Sequence, residues 1–262
     1  MLFDEEQENT PGANQLNEIN ENSGDEQEEL SGLSSEYVFP TEYVQEFWKN
    51  KHIVFIGDSI VRCMYKDFLL KLQHDRLLRA QELKTKCEDE FCNDRLTYRT
   101  EMTNGREFTE AREYQSEDGT IVLQYYFVTR CYYEIMEKIL EEFRTETPDV
   151  IFMNSCLWDL CRWKDGSVEY PKKFTILMER LRELLPKTSS FVWLATLPLS
   201  SKIVCPGLLT EEISFMGETL RHSILIANYQ IYQLLIQYGF DCLDLNYYMR
   251  PFVESHRYIL FL

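Results

Sequence analysis

The sequence lacks the long apolar runs and the basic leader that membrane and secreted proteins carry. No stretch approaches the roughly 20 predominantly apolar residues that a membrane-spanning helix needs. The first basic residue is Lys49, so the chain does not open with the basic and apolar segments of a secretory signal. We therefore expect no membrane span and a location in the cytoplasm or the nucleus.

Histidine is scarce, and neither histidine nor cysteine is spaced for a metal ion. The four histidines are scattered along the chain: His52, His74, His222 and His256. Four residues separate the members of two cysteine pairs, Cys87/Cys92 and Cys156/Cys161. Zinc sites prefer Cys-x2-Cys with a second pair or histidines nearby. The sequence therefore predicts free thiols in a reducing compartment, no metal site and no cofactor.

Positive charge is also scarce, and its distribution is uneven. The formal net charge is −17, and eleven of the acidic residues lie in residues 1–36, which contain no lysine or arginine. Without that segment the remaining charge is −6. A nucleic-acid-binding protein needs a basic face, so this composition argues against nucleic acid as a partner.

The chain divides into a short polar segment and one domain. Residues 1–36 are acidic, rich in Asn, Gln and Ser, and nearly free of aromatic residues, which predicts a disordered tail. The alternative is an acidic arm that contacts a protein partner. Residues 37–262 are rich enough in apolar residues to bury a large core.

Within residues 37–262, short apolar runs alternate with helical patterns. Five strands are predicted near residues 53, 122, 150, 192 and 242, with helices between them. This alternation is typical of a mostly parallel sheet covered by helices on both faces, a three-layer α/β/α fold. We also expect a helix through residues 75–95, a hairpin turn at Asn104–Gly105 and a loop over residues 158–163.

The first strand leads into the stretch around which we expect the site to form. Four apolar residues, Ile53 to Ile56, are followed by Gly57, Asp58 and Ser59 at the start of a helix. A serine at a helix N-terminus lies where free N–H groups favour an oxyanion, which suits a nucleophile. The simpler interpretation is that Asp58 or Ser59 caps the helix.

A second polar residue follows the third strand. Asn154 ends the run DVIFM, and the carboxyl ends of parallel strands meet at one edge of a sheet. Its amide could stabilise an oxyanion formed at Ser59, or Asn154 could simply form a turn. Arg62 could hold an acyl carboxylate or a sugar hydroxyl, or could pair with Asp159.

Two motifs together resemble the PC-esterase branch of the GDSL/SGNH hydrolase superfamily. These are GDSIVRCMYKD at residues 57–67 and NSCLWDL at residues 154–160. The resemblance implies a serine acyl esterase acting on an acylated small molecule or carbohydrate, with Ser59 as nucleophile and Asn154 in the oxyanion hole. We expect five further residues to contribute to substrate binding: Gly57, Asp58, Arg62, Trp158 and Asp159.

The sequence departs from the family at the block that supplies the general base. The family places Asp-x-x-His shortly after the last strand, whereas this sequence reads RPFVESHRYILFL there. His256 has Val253 at the position of the Asp, so we interpret it as an exposed residue rather than a substitute base. We therefore expect a truncated form that lacks a C-terminal helix and has little or no activity. The alternatives are a non-catalytic binding module and a protein in which Gly-Asp-Ser only caps a helix.

Overall fold

A computed structural model of the protein describes residues 39–85, 88–101, 106–164, 166–199 and 208–253. The expectations for residues 1–36, for the Asn104–Gly105 turn and for His256 fall outside these ranges. No helix in the described ranges is long and apolar enough to cross a membrane.

Seven strands of the described residues form one sheet. Their bounds are β1 Lys51–Gly57, β2 Arg95–Arg99, β3 Glu110–Gln115, β4 Ile121–Phe127, β5 Val150–Met153, β6 Ser190–Leu194 and β7 Asp241–Leu243. The order is β2-β3-β4-β1-β5-β6-β7. The five predicted strands are confirmed as the parallel set β4, β1, β5, β6 and β7. Strands β2 and β3 add an antiparallel pair beyond β4, so five strands was two too few.

Helices cover both faces of this sheet. Their bounds are α1 Thr41–Phe47, α2 Ser59–His74, α3 Ala80–Lys84, α4 Glu134–Glu142, α5 Leu157–Arg162, α6 Gly166–Leu184, α7 Gly217–Tyr238 and α8 Leu245–Met249. Residues of α1 and α2 form one apolar cluster with the sheet, and residues of α4, α5, α6 and α7 form the other. The predicted three-layer α/β/α fold is therefore confirmed.

Strand β1 is covered on both faces of the sheet, which explains why its sequence is apolar at every position instead of alternating. Ile53 and Phe55 belong to the cluster that includes α2, whereas Val54 and Ile56 belong to the cluster on the opposite face. All four side chains are at most 4% exposed. A strand covered on both faces gains from an apolar residue at every position, which is why the run predicts a central parallel strand.

Residues 75–95 do not continue α2 as a helix, so that prediction was wrong. Asp75 ends α2 with φ 52, and the next helix is only the five residues of α3. The segment is instead held by Asp94, whose carboxylate accepts two hydrogen bonds of 2.7 Å from the Arg112 guanidinium of β3. A buried long-range ion pair of this kind leaves no local sequence pattern.

One smaller prediction was also wrong, because residues 157–162 form helix α5 where a loop was expected. At the start of α1, Thr41 donates a hydrogen bond of 2.7 Å to the Lys71 carbonyl oxygen. A short helix, α8, follows β7.

The end of the helical region before β7 agrees with the sequence. A 3-10 helix, Glu211–Met216, changes to α7 at Gly217. Gly239 caps α7 in the left-handed conformation with φ 65. A residue without a Cβ adopts this conformation without steric cost, so glycine marks the helix end in the sequence.

Candidate active site at the carboxyl edge of the sheet

The turn from β1 into α2 is capped by Asp58. Its carboxylate accepts a hydrogen bond of 2.9 Å from the N–H of Ile60. The helix-cap interpretation is therefore confirmed for Asp58 rather than for Ser59, which is the first residue of α2. Because Ile60 donates to Asp58, it is no longer a free donor for a substrate oxygen.

Gly57 lies where the ends of β1 and β5 meet. A Cβ atom at this position would lie 2.4 Å from Val61 Cγ2 and 2.7 Å from the Asn154 carbonyl oxygen. No real Cβ tolerates such distances, and the backbone carbonyl cannot rotate away. Gly57 therefore permits the close approach of α2 and β5, and its role is steric.

Ser59 has an isolated hydroxyl. The residue is 7% exposed, and its Oγ atom is buried without a hydrogen-bond partner in the described part of the chain. A buried polar group without a partner carries a desolvation cost, and native structures retain few of them. Such a group, at the first turn of a 16-residue helix, is a candidate for contact with a ligand.

None of the three described histidines forms a hydrogen bond with Ser59. The ring of His52 lies 2.9 Å from Gln124 Oε1, at the start of β1 and thus at the opposite edge of the sheet. His74 is the last residue of α2, and His222 is exposed on α7. The described residues therefore hold no imidazole in position to take the Ser59 proton.

The side-chain amide of Asn154 is fully engaged with protein acceptors. Its Nδ2 atom donates to the Leu194 carbonyl oxygen at 2.6 Å and to Thr196 Oγ1 at 3.1 Å. A side-chain amide has only two N–H bonds, so both donors are used. In this arrangement Asn154 can serve an oxyanion only by giving up one of these bonds.

Thr196 organises a network of polar side chains beyond the end of β6. Asn228 of α7 accepts from the Thr196 N–H at 3.0 Å and donates to the Thr196 carbonyl oxygen at 2.9 Å. Asn246 of α8 donates to the same carbonyl oxygen at 2.9 Å, and Arg250 donates to Asn246 Oδ1 at 3.2 Å. The network thus connects the segment after β7 to Asn154.

The sequence does not predict Thr196, Asn228 or Asn246 for this site. For Thr196 a signal exists, because it is the polar residue that ends the fourth predicted strand, in the same way as Asn154 ends the third. No comparable signal marks Asn228, which lies in the middle of a long helix. Its role depends on the packing of α7 against the end of β6.

Arg62 is a buried cation close to the turn. It is 4% exposed, and its charge lowers the pKa of Asp58. The dominant effect on Asp58 is desolvation, which raises its pKa to about 6 despite Arg62 and the Ile60 N–H. Arg62 does not pair with Asp159, because the cation beside that carboxylate is Arg130, at 3.9 Å.

Asp159 is held inside the protein by α5 and the segment after β4. It accepts hydrogen bonds from the Ser155 hydroxyl and, at 3.2 Å to each oxygen, from the N–H of Cys131. Burial raises the pKa of Asp159 to about 7, although these donors and Arg130 oppose the shift. These contacts assign Asp159 an internal, structural position.

Trp158 also belongs largely to the core. Its side chain is 9% exposed, and the Arg162 guanidinium lies 5.3 Å from its ring centroid. Its indole N–H is buried and has no hydrogen-bond partner among the described residues.

No group of three or more His, Cys, Asp or Glu side chains in the described ranges could hold a metal ion.

The sequence of this chain is similar to those of known proteins. No protein-family model matches the chain. The chain is 36% identical over 225 residues to human PC-esterase domain-containing protein 1A, covering 84% of this chain and 49% of the relative. It is 37% identical over 220 residues to PC-esterase domain-containing protein 1B of Rattus norvegicus, covering 79% of this chain and 50% of the relative.

The chain therefore spans about half the length of the curated relatives that it matches. Among solved structures, a catalytic mutant of the acetylxylan esterase Axe2 from Geobacillus stearothermophilus matches with a TM-score of 0.43 and 11% identity. That match covers 77% of this chain and 81% of the esterase chain.

Proposed function

Because this chain belongs, over the matched residues, to the family of PC-esterase domain-containing proteins 1A and 1B, we propose that it is a serine acyl-esterase domain. In this proposal Ser59 is the nucleophile and the ligand is an acylated small molecule or carbohydrate. The observation that carries it is the buried Ser59 hydroxyl, which has no hydrogen-bond partner among the described residues. A serine hydroxyl that contacts a substrate is expected to have no hydrogen-bond partner within the protein when the substrate is absent, as is seen for Ser59 at the N-terminus of α2.

The reaction requires two acyl transfers at Ser59. Its oxygen attacks the acyl carbonyl, its proton passes to a base, and the base returns that proton to the alcohol, which leaves as the acyl-serine ester forms. Water then attacks the ester carbonyl, which releases the acid and restores the Ser59 hydroxyl. The N–H of Ser59, at the start of α2, is suited to the developing oxyanion, because the Ile60 N–H already serves Asp58.

We further propose that residues 1–262 alone have weak activity at most. None of the described histidines accepts the Ser59 proton, and the Asn154 amide is committed to Leu194 and Thr196. Without a general base, a serine hydroxyl stays a poor nucleophile at neutral pH, and loss of one triad member removes most of the catalysis.

The test compares hydrolysis of p-nitrophenyl acetate by the purified chain with hydrolysis by Ser59→Ala. Ser223→Ala is the matched control, because this hydroxyl lies on α7 and donates to the Thr219 carbonyl oxygen at 3.2 Å. We expect the chain to exceed Ser59→Ala only slightly, and Ser223→Ala to equal the chain. Rapid turnover that needs both Ser59 and His256 would contradict the proposal that activity is weak. Turnover that is unchanged by Ser59→Ala would contradict the proposal that Ser59 is the nucleophile.

A non-catalytic binding module is the second candidate. It is favoured by the lack of an imidazole beside Ser59 among the described residues and by an Asn154 amide that is already satisfied within the protein. A binding module predicts that acetylated sugars raise the melting temperature of the chain and of Ser59→Ala equally. A shift seen only with Ser59 intact would favour the esterase.

A further inference from the structure

Arg62 is a buried cation that has no anion bound to it. Three basic side chains of the described residues are buried, namely those of Arg62, Lys66 and Arg112. Lys66 forms an ion pair with Glu88 at 2.5 Å, and Arg112 forms one with Asp94 at 2.7 Å. The guanidinium of Arg62 has neither a hydrogen bond nor an ion pair among the described residues. Arg62 is therefore the exception among these buried cations.

The carboxylates in the same region bind other groups. The charges of Asp58 and Glu110 act on the Tyr125 phenol together with that of Arg62. The Asp58 carboxylate caps α2, and the Glu110 carboxylate accepts a hydrogen bond of 2.9 Å from Arg99. Asp58 thus attracts Arg62 without binding it. An arginine cannot release its proton when it is buried, so its charge needs a partner that the described residues do not supply.

The Ser59 hydroxyl lies on the same side of α2 as Arg62. Residues three positions apart in a helix are neighbours, with Cβ atoms about 5–6 Å apart. One helical turn therefore presents a hydroxyl and a guanidinium that both have no hydrogen-bond partner among the described residues. A sugar hydroxyl would supply no charge to Arg62, whereas a carboxylate matches both the charge and the fork of a guanidinium.

We propose that the acylated ligand of this site carries a carboxylate within a few bonds of its ester group, and that Arg62 binds this carboxylate. The inference rests on the proposed function, because it takes the ester to be held at Ser59. The carboxylate can belong to the alcohol part of the ester, as in an acylated uronic acid. It can also belong to the acyl part, as in a half-ester of a dicarboxylic acid.

The end of β4 adds positive charge beside the same turn. The Val128 N–H donates to the Gly57 carbonyl oxygen at 3.1 Å, so the segment that leads to Arg130 begins next to the end of β1. Two carboxylates act on Arg130. Glu169 pairs with a lysine of its own helix at 2.9 Å, and Asp159, at 3.9 Å, has a pKa raised to about 7 by burial, which weakens its negative charge at neutral pH. The charges at this edge therefore favour an anion, although the chain as a whole is acidic.

The experiment measures ligand affinity by isothermal titration calorimetry at low ionic strength. The three ligands are acetylated glucose, which is neutral, acetylated glucuronate, whose charge is on the alcohol part, and succinylated glucose, whose charge is on the acyl part. We expect at least one anionic ligand to bind about tenfold or more tightly than acetylated glucose. The tighter anionic ligand identifies the part of the ester that carries the charge. Ser59→Ala keeps this preference, because Arg62 recognises the charge.

Variants of Arg62 test its role directly. Arg62→Met keeps an unbranched apolar side chain but removes the charge, so it loses the preference for the anion and keeps the affinity for acetylated glucose. Arg62→Lys keeps the charge without the fork and retains only part of the preference. Arg95→Met is the matched control, because it removes the same charge from an exposed site on β2 and leaves the preference unchanged. Circular dichroism checks that each variant is folded.

Three results overturn the proposal. The first is equal affinity for all three ligands, and the second is no binding of either anionic ligand up to tens of millimolar. The third is a preference that survives Arg62→Met, because the anion then binds elsewhere. Failure of the proposed function is distinguishable, because ester turnover that does not depend on Ser59 leaves the anion preference in the calorimetric experiment intact.

Discussion

The amide nitrogen of Asn154 lies 3.1 Å from the hydroxyl oxygen of Thr196. This contact joins the ends of β5 and β6 at the carboxyl edge of the parallel strands. It also leaves Asn154 without a free amide hydrogen, because the second amide hydrogen is donated to the Leu194 carbonyl oxygen at 2.6 Å. Asn154 is therefore a structural connection as well as a candidate oxyanion donor.

Loss of this connection should lower stability. Asn154→Ala leaves a buried carbonyl oxygen and the Thr196 hydroxyl without a donor, and we expect it to lower the free energy of unfolding by about 1–3 kcal/mol. Thr196→Val removes only the hydroxyl, and we expect about 1 kcal/mol. Urea denaturation measures both. The double variant should lose less than the sum of the single losses, because both remove the same bond, so strictly additive losses would contradict the contact.

The close packing at Gly57 should make that position intolerant of any side chain. Gly57→Ala places a methyl group against Val61 and the Asn154 carbonyl oxygen, so we expect destabilisation of about 3 kcal/mol or more, at the upper end for overpacking. The control is Gly217→Ala, where a Cβ would lie 3.5 Å from Leu209 Cδ1, an ordinary contact. Because Gly217 starts α7, this change should be neutral or slightly stabilising. Thermal unfolding compares the two variants, and equal effects would contradict the steric role of Gly57.

The parallel core of the fold was predictable because its signal is local. Runs such as Ile53–Ile56 are apolar at every position, and glycine or proline marks their ends. Strands β2 and β3 lacked such a run, since β3 carries Glu110, Arg112 and Glu113. Its buried charges are satisfied by Arg99 and Asp94, which are distant in sequence. A pattern based on hydrophobicity detects such strands only weakly, and the signal for this antiparallel pair in the sequence is the hairpin predicted at Asn104–Gly105, between β2 and β3.

The placement of Ser59 and Asn154 at one edge of the sheet was predictable, but the contacts of these residues were not. Strand ends placed Ser59 and Asn154 at one edge of the sheet, and the capping rule left Asp58 and Ser59 as the two candidates for the helix cap. Whether Asn154 has a free N–H depends on Thr196, whose position follows from the packing of β6 and α7. The buried position of Asp159 likewise depends on Cys131 and Arg130, which follow a different strand.

The buried ion pair between Arg112 and Asp94 should be important for stability. Both side chains are at most 1% exposed, and Arg112→Met leaves a buried carboxylate without its cation. We expect a loss of about 3–5 kcal/mol in the free energy of unfolding. Arg95→Met is the control on the neighbouring strand, because the Arg95–Glu113 pair is largely exposed, and its loss should cost less than about 1 kcal/mol.

A second variant distinguishes the lost pair from lost packing. Arg112→Met/Asp94→Leu removes both charges, so it should be more stable than Arg112→Met alone. Urea denaturation of the three proteins provides the comparison. A double variant less stable than the single one would contradict the dominance of the unpaired carboxylate, and it would indicate that the bonds that Asp94 accepts from Phe91 N–H and the Tyr65 hydroxyl contribute more.

The carboxyl group of Asp159 should make stability depend on pH. Burial raises its pKa from 3.8 to about 7, so between these values the folded protein keeps a proton that the unfolded chain has released. Because the folded state then binds more protons, the free energy of unfolding falls as pH rises through this window. The favourable contribution is complete below about pH 4 and is lost by about pH 7.

Asp159→Asn removes this titration while keeping the side-chain size. The stability of the protein relative to the variant should therefore decrease by roughly 2–4 kcal/mol as the pH rises from about 4 to 7. Asp118→Asn is the control with the opposite sign, because hydrogen bonds from Ser116 and Thr120 lower the pKa of exposed Asp118. Its contribution is present above the unfolded pKa and is lost as the pH falls. Urea unfolding between about pH 4 and 7 measures the Asp159→Asn difference, and unfolding below about pH 4 measures the Asp118→Asn difference, because the folded pKa of Asp118 lies below 3.8. A constant difference for Asp159→Asn between about pH 4 and 7 would mean that this carboxyl group does not titrate within the window.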